Sequence, residues 1–299
     1  MRAVALGAAA GGGFPQWNSN ALPCRRARAG DPAAKPRTQA GLAVSGDGKR
    51  WYLLNASPDL REQIGRSSFL CPNEGLRSSP IAGVVLTGGD VDAIAGLLTL
   101  RERQPFTLFA TRGIQNLLEQ NSVFDVLARD VVARETVPLD RWTLLDEGLS
   151  FCLFSVPGKA PLYLERGTEP LIEAGETTVG VALSDGEHRL LFVPGCAAMT
   201  PELSARLRGA DVAFFDGTLW SDDEMIAAGL GAKTGRRMGH MSLSGPEGTL
   251  AAFKDLGVRR KVLIHLNNSN PVLLEDSPER AAVVAAGWEV AFDGMDVML

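Results

Sequence analysis

Residues 84–98 read VVLTGGDVDAIAGLL. A β-branched apolar run meets a Gly-Gly turn, then two aspartates two positions apart, then apolar residues at helical spacing. The pattern predicts a buried strand that hands over to a helix through a loop carrying Asp90 and Asp92. Carboxylates at the mouth of a buried strand are costly unless something pairs with them or binds them.

The same rhythm spreads downstream. A strand over 106–110 leads into a helix over 114–127, and a strand over 212–215 into a helix over 222–228 capped by Ser221. The strand 261–265 is followed, after a loop, by a helix over 278–286 with Ser277 at its N-cap. Upstream, 4–7, 39–44 and 51–54 read as strands, the first two separated by a loop of about thirty residues, a length that in compact domains goes with function. Residues 151–156 form a further strand, and 178–184 with 189–193 make a hairpin about SDGEH. Hairpins in both halves, with helices attached to each, predict an α/β fold: two sheets face to face, covered outside by helices, a four-layer αββα sandwich forming a single domain over 1–299.

Bulk properties narrow the function. The 299 residues are 45% hydrophobic and 22% charged, and the net charge of -5 leaves no basic footprint for nucleic acid. No apolar run reaches the ~18 residues that span a bilayer, so no membrane partner is expected and the cytoplasm is the default compartment. The start, MRAVALGAAAGGGF, is too short and weakly apolar before its glycine turn for a signal peptide. Cys24, Cys71, Cys152 and Cys196 lie too far apart for a zinc knuckle and are too few for a disulfide scaffold.

Polar residues gather where strands end, as they do when a sheet presents chemistry on its loops. Asp90 and Asp92 follow VVLT, Asp216 ends DVAFFD, His265 ends KVLIH, and His240 sits in RRMGHMSLSG between the last two. The chain has only three histidines, and His188 lies in a polar turn beside Gly186 and Glu187, where it reads as a solvated surface residue. Two imidazoles are too few for a dinuclear zinc hydrolase. With a carboxylate they match the arrangement that suits mononuclear non-haem Fe(II) and leaves open positions.

The segments AAAGGGFPQWNSN, LLNASPDLREQI, LTGGDVDAIAGLLTLRE, FSVPGKAPLYLE, FVPGCAAMTPEL, FFDGTLWSDDEM, RRMGHMSLSG and IHLNNSNP resemble the pyrroloquinoline quinone (PQQ) biosynthesis protein B family, a branch of the metallo-β-lactamase superfamily. The resemblance implies the αββα sandwich and a part in making PQQ from a ribosomal peptide with linked Glu and Tyr side chains. It implies iron- and O2-dependent hydroxylation of the tyrosine ring in the released Glu-Tyr unit. An older description of the family gives it transport of PQQ or its precursor toward the periplasm. The superfamily's H-x-H-x-D-H signature falls on Gly88, Asp90, Asp92 and Ala93, which argues against a second metal. Relatives carry a cysteine zinc site just after FPQWN; here Ser19 and Ala21 stand with only Cys24, so a structural zinc is expected to be absent.

The expectation is therefore a hydroxylase in which Asp92, His240 and His265 hold one Fe(II), with Asp90 or Asp216 completing the shell. Its partners are O2 and a Glu-Tyr-derived small molecule, and a homodimer is left open. Lys159, Arg236 and Arg237 would receive substrate carboxylates. Asn267, Asn268 and Asn270 would donate around the site, and Trp17 would offer a flat face to an aromatic ring. Two other classes compete: a carrier that binds the quinone without turning it over, and peptide hydrolysis by zinc-bound hydroxide, which the two histidines suit poorly.

Overall fold

The protein is seen in a computed structural model that describes residues 1–146, 148–164 and 172–299. Glu165, which ends the FSVPGKAPLYLE segment, lies outside them. Strands β1 (Arg2–Gly7), β2 (Gly41–Ser45), β3 (Trp51–Leu54), β4 (Ile81–Val85), β5 (Phe106–Ala110) and β6 (Val132–Thr136) come from the first half of the chain. The second half supplies β7 (Trp142–Asp146), β8 (Leu149–Ser155), β9 (Val179–Ser184), β10 (Arg189–Val193), β11 (Val212–Asp216), β12 (Arg260–Ile264), β13 (Trp288–Val290) and β14 (Asp296–Met298).

These make two sheets, ordered β14-β1-β2-β3-β4-β5-β6 and β13-β12-β11-β10-β9-β8-β7. Each is antiparallel at one end and parallel at the other: β3 to β6 run parallel, as do β10 to β13. Strands buried on both faces read as continuous apolar runs, which is why VAFFD and RKVLI lack alternation. The last strand, β14, crosses back to pair with β1 and ties the two halves together. Between the sheets lies one contiguous core, in which the rings of Phe109 on β5 and Phe151 on β8 meet edge to face at 5.4 Å. Burying each such side chain stabilises the fold by roughly 1.5–3 kcal/mol.

Two expected helices are interrupted, each because a neighbour takes a carbonyl the helix needs. After the turn at Asp90 the chain is α-helical only over Val91–Ile94 and then tightens to a 3-10 helix, Ala95–Leu100. The Ala93 carbonyl accepts from Ala56 N at 2.7 Å, and Gly96 N donates to Ala56 O at 2.8 Å, so Ala56, just before SPDLR, replaces intrahelical bonds. The helix starting at Arg112 ends at Glu119, where the Asn121 side chain takes the Leu117 carbonyl, and a 3-10 turn follows at Ser122–Val126. Ser221 does not cap its helix: its hydroxyl donates to Asp223, which occupies the N-cap position of Glu224–Ala227. The cap at Ser277 is present, accepting from Arg280 N.

Inside the long loop after β1 sits a short helix, Leu22–Arg28, that the sequence reading missed. Among the described residues no helix is long and apolar enough to cross a membrane.

Candidate metal centre

The site gathers at the carboxyl ends of parallel strands, the usual place for function in such sheets. The loop after β4 brings Asp90 and Asp92, β11 ends on Asp216, and β12 ends one residue before His265. His265 has φ 61, a left-handed conformation uncommon for a residue with a side chain, so the strand stops there and the imidazole turns out of the sheet. The next residue fixes that turn: Leu266 N donates to Ala8 O at 2.9 Å and Ala10 N to Leu266 O at 2.8 Å.

Four side chains and one hydroxyl meet there. His265 Nε2 donates to Asp92 Oδ2 at 2.8 Å, and His240 Nδ1 to Asp216 Oδ2 at 2.7 Å. The two imidazoles stack, with ring centres 5.1 Å apart. Burial raises the Asp92 carboxyl, but the His265 hydrogen bond and the charges of both imidazoles outweigh it and hold the group below the ordinary carboxylate range. Burial likewise pulls His265 down, while Asp92, Asp216 and Asp90 together push it above its ordinary value. An acid-imidazole pair of this kind is held together by protons that a cation can displace.

Two donor sets compete for such a cation. Asp216, His240 and His265 have ligand atoms all within 4.8 Å of one another. Asp216, however, is fully buried, and its oxygens already accept from Cys196 N, Thr218 N, the Thr218 hydroxyl and His240. A carboxylate so occupied is better placed to orient an imidazole than to bind an ion. Asp92, half-buried, lies on the other edge of His265 and lines an open cleft of about 550 Å³ together with His240 and His265. Asp92, His240 and His265 thus line one cleft, with Asp216 bonded to His240 behind them. Burial, then Asp216, push the Cys196 thiol well above its usual value, so it stays protonated beside the cluster.

The other expected residues divide. Asp90, Lys159 and Asn267 line the cleft with Asp92. Arg236 lines a separate hollow with Asp222 and Glu247, and Arg237 is not among the cleft residues. Trp17 is 85% exposed and does not line the cleft either, while its loop is fastened through Gly12 N to the Gln39 side chain and through Phe14 to the Arg37 backbone. Asn268 and Asn270 are buried and spent on the protein: Asn270 donates to Gly217 O, and Asn268 bonds Gln16 and accepts from Cys24.

Sequence reasoning missed Gln39, Lys233, Met238 and Thr218, all of which line the cleft beside the glycine loop. A Cβ on Gly11 would lie 3.6 Å from Asp92 Oδ2, so the glycine loop lies directly against the carboxylate. Asp59 of SPDLR fixes that loop at one remove. It accepts from Gln39 N and Nε2, and the Gln39 side chain accepts from Gly12 N at 3.0 Å.

Comparison with known proteins accords with this geometry. A family described as Beta-lactamase superfamily domain matches residues 50–266. The chain is 62% identical to a Coenzyme PQQ synthesis protein B of Gluconacetobacter diazotrophicus, over 98% of each chain, and 56% identical to one of Methylorubrum populi over the whole of both.

The chain belongs to the coenzyme PQQ synthesis protein B family.

A solved member of that family, the Zn(2+)-bound PqqB of Methylobacterium extorquens, superposes with a TM-score of 0.98 at 54% identity, covering both chains fully. A diphosphatase of the PhnP family, 21% identical with a TM-score of 0.70 over 99% and 97% of the two chains, shares the fold alone. The metallo-β-lactamase αββα sandwich and the role in PQQ biosynthesis thus stand. The expectation of a single Fe(II) with no structural zinc does not: the PqqB relative is Zn(2+)-bound. The physical reason is that imidazole and carboxylate donors suit zinc as well as iron, so counting histidines does not choose the element.

Proposed function

We propose that this chain acts in PQQ biosynthesis as a metal-dependent enzyme on a Glu-Tyr-derived small molecule, at the cleft where Asp92, His240 and His265 converge. The observation that carries this reading is the pairing of His265 Nε2 with Asp92 Oδ2 beside His240, at the wall of a cleft of about 550 Å³, a volume within the usual range for small-molecule sites.

A divalent ion such as zinc would be held by Asp92 and the two imidazoles, where it supplies Lewis acidity to a phenolic oxygen. Asp216 orients His240 from behind. Lys159 and Lys233 line the cleft and give it positive charge for substrate carboxylates. Met238 and the Gly11–Gly12 backbone offer apolar wall against which an aromatic ring packs. The reaction we assign is hydroxylation of the tyrosine-derived ring by O2: one oxygen atom enters the ring C–H and the other leaves as water, with two electrons and two protons drawn from an external reductant.

The test is to supply the cross-linked Glu-Tyr compound with a chemical reductant such as ascorbate under isotopically labelled O2 to protein loaded with zinc and, in parallel, with redox-active first-row ions. Label in a hydroxylated ring supports the assignment. Substrate bound but unchanged in every loaded form overturns it in favour of a carrier.

A further inference from the structure

One hydroxyl touches every member of the inner polar cluster. Thr218 Oγ1, on a residue 4% exposed, lies 2.6 Å from Asp216 Oδ1, 2.8 Å from His265 Nδ1, 3.0 Å from His240 Nδ1 and 3.0 Å from the His265 carbonyl. It cannot turn away cheaply. The Thr218 amide donates to Asp216, and its carbonyl accepts from Asn267 N and the Asn270 side chain.

A hydroxyl has one hydrogen to give and two lone pairs to receive with. Its hydrogen goes to the nearest charged acceptor, Asp216 Oδ1, since charge-assisted bonds are the stronger ones. What the oxygen then shows to the imidazoles is lone-pair density. A bare nitrogen facing it would set lone pair against lone pair in a buried site. Both Nδ1 atoms must therefore carry hydrogen. His265 donates its hydrogen to Thr218; His240 donates to Asp216 Oδ2 at 2.7 Å, with Thr218 as the further acceptor.

We propose that Thr218 is a positioning residue that fixes both imidazoles with hydrogen on Nδ1, making Nε2 the nitrogen that each offers to a cation. The inference rests on the reading of the cluster as a cation centre. The Thr218 oxygen fills the space among the Nδ1 atoms, so a cation would approach from the Nε2 side. On the far edge of His265 the Nε2 proton, shared with Asp92, is the one a cation displaces.

The experiment loads protein labelled with nitrogen-15 at histidine with cadmium-113 and reads which ring nitrogens couple to the metal. Coupling through Nε2 of His240 and His265 is expected. The isosteric Thr218→Val should lower cadmium affinity about 10–100-fold, as loss of an orienting partner does, whereas Thr218→Ser keeps the hydroxyl and stays near the wild type. Coupling through either Nδ1, or a Thr218→Val protein with unchanged affinity, overturns the role of Thr218 and leaves the cation centre standing. Coupling to neither ring removes the cation centre itself. Should Thr218→Val fail to fold, the wild-type coupling pattern decides alone.

Discussion

His265 and Asp92 stand 173 residues apart in sequence and 2.8 Å apart in space. The contact joins the end of β12 in one sheet to the loop after β4 in the other, so the centre exists only when both sheets are packed.

The metal-free protein should show this pair in its pH dependence. His265 is raised above its ordinary value of 6.5, so its contribution is full below that pH and is lost as pH rises through the folded value. Asp92 is lowered from 3.8, so its contribution holds above that pH and is lost as pH falls through the folded value. Asp92→Asn should therefore cost most near pH 5–6, on the order of 3 kcal/mol for a broken, mostly buried pair, and progressively less in alkali. Urea unfolding across pH checks this; a penalty that grows with pH would speak against the pair.

Glu224 predicts a loss of stability toward higher pH, of the same sign as that of His265. Burial pushes its carboxyl up to about 7 from 4.5, although Ser269 and Trp220 N donate to it. The folded state then keeps a proton that the unfolded chain has released, so stability falls as pH rises from 4.5 to 7, by roughly 3 kcal/mol. Glu224→Gln should match the wild type at pH 4 and exceed it at pH 8. Equal midpoints at pH 8 would rule out the buried carboxyl as the source.

Gly11 should be sensitive in function and insensitive in stability. Its Cβ position faces Asp92 Oδ2 at 3.6 Å, with room for a methyl group and little more. Gly11→Leu should fill the cleft and weaken small-molecule binding by at least about tenfold, while thermal unfolding moves only a few degrees, since surface-cleft changes cost little. Calorimetric titration with PQQ reads the first effect and scanning calorimetry the second.

Asp216 should matter to both. Removing a buried carboxylate that serves Cys196 N, Thr218 N, Thr218 Oγ1 and His240 strands those donors, and Asp216→Ala should cost about 3–5 kcal/mol. Asp216→Asn, which keeps the shape, should fold better yet bind zinc more weakly because His240 loses its charged acceptor. Zinc titration of the folded variant checks the second half.

Much of this was legible in the sequence because it depends on local pattern. Apolar runs before Asp90, Asp216 and His265 marked buried strands, and carboxylates or imidazoles at their ends marked the site. The helix after Asp92 was misjudged because Ala56, forty positions from Gly96, takes the Ala93 carbonyl and accepts from Gly96 N, a contact no window of sequence contains. Trp17, a large aromatic in a glycine-rich loop, invited a role at the cleft, yet its neighbours Gly11 and Gly12 supply the wall instead. Thr218 gave no signal, since a threonine two residues after an aspartate is ordinary turn chemistry. Its importance appears only once β11, β12 and the His240 loop converge on its hydroxyl.

X-ray absorption at the zinc edge of the loaded protein tests the central claim most directly. A centre built from Asp92, His240 and His265 predicts a nitrogen and oxygen shell at about 2.0–2.1 Å with outer scattering from two imidazole rings. A sulfur shell near ~2.3 Å, or no imidazole scattering, would contradict it.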